Sequence, residues 1–149
     1  MADYFAHWLS FTKRTDRARL PKIYFVNWFR RSADGKFLWP GFGENGRVIK
    51  WICERIEGKG KAQKTPIGNL PTLDALDLSG LNFRPEEVRQ LLSLDIAGWK
   101  KEVEDVAANY AKFGNRLPKA LKDQLEQLRT RLDHDAQKGA ANSPAPALR

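Results

Sequence analysis

Phe29, Phe37 and Phe42 are three flat rings placed close together in the chain, and Asn45 sets a carboxamide just beyond them. Trp28 precedes Phe29, and Trp39 lies between Phe37 and Phe42. A ring can stack on a nucleobase, which is worth about 1–3 kcal/mol per base. A carboxamide offers both donors and an acceptor and can read a base edge. The stretch FLWPGFGEN, residues 37–45, holds its rings on backbone that Pro40, Gly41 and Gly43 keep irregular. That much glycine leaves room for a slot between rings. A helix is expected to start at Asn45, and its free backbone N–H groups would lie alongside, in a basic neighbourhood. Flat rings, an amide and backbone donors together suit a purine pocket. The competing reading is that the same rings are simply core, and residue type alone allows it.

Other chemistry is poorly represented. The chain contains neither a G-x-x-x-x-G-K-[ST] phosphate loop nor a G-x-G-x-x-G turn. It has two histidines and one cysteine. His7 lies in an aromatic helix and reads as packed or capping, and His134 opens the C-terminal tail. Cys53 shares a helix with Trp51 and reads as a buried thiol. No C-x-x-C or H-E-x-x-H spacing offers a metal site. Glu86 and Glu87 sit in the first turn of a helix, where the helix dipole accounts for them. No catalytic residue and no metal ligand is assigned.

The charge is uneven. The 149 residues carry a net +8. Residues 1–64 hold 14 Lys+Arg against 6 Asp+Glu, and residues 65–149 hold 12 of each. An anionic partner should therefore meet the first half. A basic surface kept for solubility is the bland alternative. No run of about 18 apolar residues is present to span a membrane. The start, MADYFAHWLSF, lacks the basic n-region of a secretory signal. With its single cysteine the chain fits a reducing compartment, and a cytoplasmic location is expected.

The elements that must position the rings follow from pattern. Residues 3–12 read as a short helix capped by Asp3. LPKIYFVNWFRR, at 20–31, is rich in β-branched and aromatic residues and reads as a strand. Asp34-Gly35 is a hairpin turn signal, and FLW returns as the second arm. The helix from Asn45 places Val48, Trp51 or Ile52, and Ile56 on one face, and Gly58 ends it. KGKAQK reads as a solvated basic loop, and residues 65–81 as an irregular crossing segment. Pro85 stands at the first position of a helix. Asp95 caps a longer one with an apolar stripe at Ile96, Trp99, Val103, Val106, Tyr110 and Phe113. Leu117, Leu121, Leu125, Leu128 and Leu132 form a second stripe, so the last two helices should pair antiparallel. Residues 134–149 show no apolar periodicity and are expected to be a disordered tail.

At this level of detail the residues carry a resemblance. MADYFAHWL, LPKIYFVNWFRRSADGKFLWPGFGENGRVIKWICERIEG, TPIGNLP and KFGNRLPKAL together resemble the C-terminal portion of GTP-dependent phosphoenolpyruvate carboxykinase. The resemblance runs from Ala2 to about Leu132. It implies an α+β fold for residues 1–133, as a fragment of that family's mixed α/β nucleotide-binding domain. Such a fragment would have a short aromatic β-hairpin ribbon followed by a mainly helical C-terminal half. It implies a guanine pocket made by Phe29, Phe37, Phe42 and Asn45, with Trp28 and Trp39 flanking it. The implied ligands are GTP and GDP, with Mn²⁺ and Mg²⁺ serving the complete enzyme through residues not in this chain. The implied reaction converts oxaloacetate and GTP to phosphoenolpyruvate, GDP and CO₂. Gly46 departs from the small polar residue expected there and loosens the helix start without touching the pocket.

Family members are several times longer, so the chain alone is expected to be inactive. Its expected partners are a guanine nucleotide and the N-terminal remainder of the enzyme, if that is separately encoded. Membrane and nucleic acid are not expected partners, and the complete enzyme is expected to be monomeric. Two readings from other classes stand beside this one. The basic, aromatic ribbon could bind nucleic acid, or the chain could be an inert remnant with no ligand.

Overall fold

The computed structural model describes residues 1–13 and 16–141. Residues 14–15, within the expected basic loop, and 142–149, within the expected tail, lie outside the described residues. In chain order the regular elements are α1 (Ala2–Ser10), α2 (Asn45–Ile56), β1 (Ala62–Thr65), β2 (Gly68–Pro71), α3 (Pro85–Leu92), α4 (Ile96–Ala111) and α5 (Lys119–Ala141). The fold is α+β with one two-stranded antiparallel hairpin. The chain forms two compact units, Pro21–Leu94 and the combination of Met1–Leu20 with Asp95–Arg149.

The helical unit follows its apolar stripes. Val103 and Leu132 are fully buried and pack with Leu125. Ile96, Trp99, Val106, Ala107, Tyr110 and Leu128 surround them. Lys100 pairs with Asp133, and Arg129 with Glu104. As the number rises on α4 it falls on α5, so the two helices run antiparallel, as the stripes predict. These ion pairs are exposed and add little energy. The start of α4 is held by Asp95, whose carboxylate accepts from Gly98 N–H at 2.9 Å. Near the other end, Phe113 meets Phe5 of α1 edge-on, with ring centroids 5.9 Å apart. Asp3, expected to cap α1, instead lies inside its first turn, and Met1 holds the cap position. Helix α5 continues through Ala141, past His134 where the tail is expected to begin.

The second unit departs more from expectation. The predicted aromatic ribbon does not form as a pair of strands. Residues 21–27 are extended and half-exposed in alternation: Tyr24, Val26 and Trp28 are partly covered, while Ile23, Phe25 and Phe29 are exposed. Pairing amounts to one bridge, Arg31 with Phe37, flanked by bonds from Leu38 N–H to the Arg30 carbonyl and from Ser32 N–H to the Lys36 carbonyl. Asn27 is the reason the first arm stops. Its side-chain oxygen accepts from Phe29 N–H at 3.0 Å, a local bond that turns the chain at Trp28 and Phe29. Pro40 and Gly41 stop the other arm. A turn forms here, but one residue earlier than Asp34-Gly35 would centre it: Gly35 N–H donates to the Ser32 carbonyl across Ala33-Asp34, with Gly35 at φ 81°.

The hairpin lies instead at β1–β2, where a solvated loop and an irregular segment are expected. Thr65 and Gly68 close it around Pro66 and Ile67, and the Thr65 hydroxyl donates to the Gly68 carbonyl at 2.7 Å. AQKT and GNLP have no apolar alternation, so sequence pattern hides these strands; context supplies them. The Trp51 indole N–H anchors the hairpin by donating to the Lys61 carbonyl at 2.9 Å. Trp51 is the buried residue of α2 and meets Tyr24 edge-on at 6.2 Å. Ile56, expected on the same face, is exposed, and so is Cys53, which is therefore not the buried thiol the sequence suggests.

Candidate functional site

The extended segment, the Asp34-Gly35 turn and the start of α2 bring the sequence-predicted residues into one unit. Trp28 and Trp39 form its base, with ring centroids 6.0 Å apart. Trp39 is 5% exposed and is the best buried ring of the group. Above this pair in exposure come Phe29 at 74% and Phe37 at 53%, which meet edge-on at 6.3 Å. Phe42 is 90% exposed and makes no ring-to-ring contact among the described residues. The core reading of these rings therefore holds for Trp39 and not for the three phenylalanines. Phe29 and Phe42 are open, Phe37 has one face covered by Arg31, and exposed rings of this size have substantial apolar area to bury against a partner.

The loop geometry explains how so many rings stay out of a core. Gly41 has φ 126°, a conformation side chains rarely adopt, and it separates Pro40 from Phe42. Phe42–Glu44 then form a single 3-10 turn that runs straight into α2. Its last bond is made by Asn45 N–H to the Phe42 carbonyl. That N–H is thus already used, and one of the backbone donors expected at the helix start is committed to the turn. Asn45 is the first residue of α2, and Glu44 holds the cap position before it. The Asn45 Oδ1 accepts from the Trp39 indole N–H at 2.9 Å.

Gly46 lies in the first turn of α2, and a methyl group added there would meet open space.

Three arginines around the site go unnoticed in a search for catalytic motifs. Arg30 reaches from the bend to the end of α3. Its guanidinium donates to the Leu91 carbonyl at 2.8 Å, the Ser93 carbonyl at 2.7 Å and the Ser93 hydroxyl at 2.8 Å. A cation on the last carbonyls of a helix is favourable both as a cap and toward the helix dipole. Arg31 lies over the Phe37 ring, 4.0 Å from its centroid, and donates to the Gly35 carbonyl at 2.7 Å. Counting back from Asp34-Gly35 would put Leu38 opposite Arg31, whereas the observed bridge pairs Arg31 with Phe37, so this stacking was not available from the sequence. Arg47 binds the Glu44 carboxylate and donates to the Asp77 carbonyl at 2.7 Å.

The acidic groups nearby serve these anchors. The Asp77 carboxyl is held well below the usual carboxylate range, first by the Ser79 hydroxyl and then by Lys50. Asp74 is lowered to about 2, chiefly by its bond to Lys61. Both are open to solvent and tie loops to α2 and β1. The basic side chains beside the rings are therefore already engaged: Arg30 with the end of α3, Arg31 with Phe37, Arg47 with Glu44 and Asp77.

His7, far from the rings in sequence, rests edge-on against Phe11 at 5.1 Å. Among the described residues no group of three or more His, Cys, Asp or Glu side chains comes together to hold a metal ion. Among them, too, no helix is long and apolar enough to cross a membrane.

Comparison with known proteins shows the family. A family model described as the phosphoenolpyruvate carboxykinase C-terminal P-loop domain matches residues 1–131. The phosphoenolpyruvate carboxykinase (GTP) of Treponema pallidum (strain Nichols) is 51% identical over 134 residues, 89% of this chain and 22% of its own length. That of Neocallimastix frontalis is 53% identical over 133 residues, again 89% of this chain and 22% of its own. That of Renibacterium salmoninarum is 49% identical over 130 residues, 87% of this chain and 21% of its own. The chain thus spans about a fifth of the length of the curated relatives it matches.

Proposed function

Because this chain belongs to the GTP-dependent phosphoenolpyruvate carboxykinase family, we propose that residues 28–45 are the guanine-recognition element of such an enzyme. The observation that carries the reading is the pairing of exposed rings with a fixed amide. Phe29 and Phe37 present apolar faces, while Asn45 is held by a bond to buried Trp39. A base stacked on Phe29, Phe37 and Phe42 would gain area from any purine, and the Asn45 edge would choose among them.

In the enzyme this element binds the base of GTP or GDP and so fixes where the phosphates lie. Oxaloacetate loses CO₂, and the resulting enolate oxygen takes the terminal phosphoryl group of GTP, giving phosphoenolpyruvate and GDP. The residues of this chain contribute position rather than bond-making: rings fix the plane of the base and Asn45 fixes its rotation. Correct placement of a reacting group is itself a large part of phosphoryl-transfer catalysis. The arginines beside the rings are engaged with protein partners. Phosphate and the divalent cations Mn²⁺ and Mg²⁺ would then be held by groups outside this chain. On its own the chain recognises the base without completing the reaction.

The test is equilibrium dialysis of the purified chain against labelled GTP and labelled ATP at physiological salt. GTP should be retained more strongly, by about ten-fold, the ratio that one well-placed hydrogen bond supports. Equal retention, or a preference for ATP, would overturn the guanine reading.

A further inference from the structure

We propose that Trp39 is a positioning residue that determines which purine the site accepts, by locking the orientation of the Asn45 carboxamide. The proposal rests on the guanine-recognition reading and deepens it. An indole N–H can only donate. Trp39 is 5% exposed, and a buried donor left without a partner is costly. Its N–H finds Asn45 Oδ1 at 2.9 Å. If the carboxamide flipped, its NH₂ would meet the indole N–H, donor against donor. The oxygen must therefore face the indole, and the group that Asn45 can extend to a ligand is the NH₂.

This settles what the ligand must offer. Guanine carries an acceptor, O6, where adenine carries a donor, the 6-amino group. An amide free to rotate could serve either base, by its NH₂ toward O6 or by its oxygen toward the amino group. An amide locked by Trp39 serves only the first. Adenine would place its amino group against the Asn45 NH₂ and leave both unsatisfied. The choice between purines is thus made by a side chain that need not touch the base.

The experiment measures retention of GTP and ATP by equilibrium dialysis in three proteins: the unmodified chain, Trp39→Phe and Asn45→Asp. Trp39→Phe keeps an apolar plate but removes the donor. The GTP-to-ATP ratio should fall about five- to ten-fold, mainly because ATP binding improves. A purely structural role for Trp39 would weaken both nucleotides together and leave the ratio unchanged, which overturns the proposal. Asn45→Asp keeps Trp39 intact and covers the case in which Trp39→Phe folds poorly. One carboxylate oxygen accepts the indole N–H, and the other stands where the NH₂ was. The preference should then reverse toward ATP. A guanine preference that survives Trp39→Phe overturns the assignment to Trp39, and one that survives Asn45→Asp overturns the reading that Asn45 chooses the base. An unmodified chain without any guanine preference overturns the recognition reading beneath it.

Discussion

Replacing Leu132 with Ala is expected to destabilise the α4–α5 pair by about 2–5 kcal/mol, through lost burial and the cavity left behind. Leu132 is 0% exposed and packs with Val103 and Leu125 at the centre of the helical unit. Little can collapse into the gap, because Val103 is short, β-branched and itself fully buried. The unit has no disulfide to hold it and its interhelical ion pairs are exposed, so packing is the main source of its stability. Urea unfolding followed by far-UV circular dichroism measures the change. Leu128, partly buried at the edge of the same cluster, should cost less when cut to Ala. A loss below about 1 kcal/mol for Leu132→Ala would mean that the two stripes do not pack as described.

Phe37→Ala should weaken GTP and ATP by similar factors, equivalent to about 1–3 kcal/mol each. The ring is 53% exposed, so removing it empties little core and the fold should be nearly unaffected. What is lost is a stacking face that every purine can use. Two neighbours share the consequence. Arg31 loses the ring it lies over, and Phe29 loses its edge-on partner. Because the two phenylalanines touch, the double substitution Phe29→Ala with Phe37→Ala should cost less than the sum of the single losses. Dialysis with both nucleotides reads this directly. A loss confined to GTP would assign Phe37 to edge reading, and no loss of either would leave it a surface ring.

The contrast between the two units shows what the sequence makes legible. Leu125, Leu128 and Leu132 pack with the apolar residues of α4 because helical spacing is fixed by geometry, and tertiary context had nothing to override. Pro85 and Asp95 announce helix starts for equally local reasons. The aromatic segment reads as a strand because its residues suit one, yet a strand needs a neighbour. Asn27 spends its side chain on Phe29 N–H and turns the chain before a ribbon can grow. The β1–β2 hairpin is hidden for the opposite reason, since Lys64 and Asn69 pair without any apolar pattern to reveal them. In the candidate site, residue types pointed to Phe29, Phe37, Phe42 and Asn45. Their relation to Trp39 was not legible. A bond from a buried indole to an amide six residues on depends on the 3-10 turn at Phe42–Glu44, and no periodicity encodes that turn.

The Arg30 anchor has a consequence for the order in which the second unit assembles. Its bonds to Leu91 and Ser93 join residues 61 and 63 positions apart, whereas α2, the β1–β2 hairpin and α3 are built from near neighbours. Closing a long loop costs chain entropy before any contact rewards it, so distant pairings tend to form late. The helices and hairpin should therefore organise first, and the bend that carries Phe29 and Phe37 should gain its seat last. Pulse-labelled hydrogen exchange during refolding would show this as late protection of amides 28–38 relative to those of α2, and protection arising together would refute it. On such a pathway the surface offered to a base is the final piece of the unit to acquire its shape.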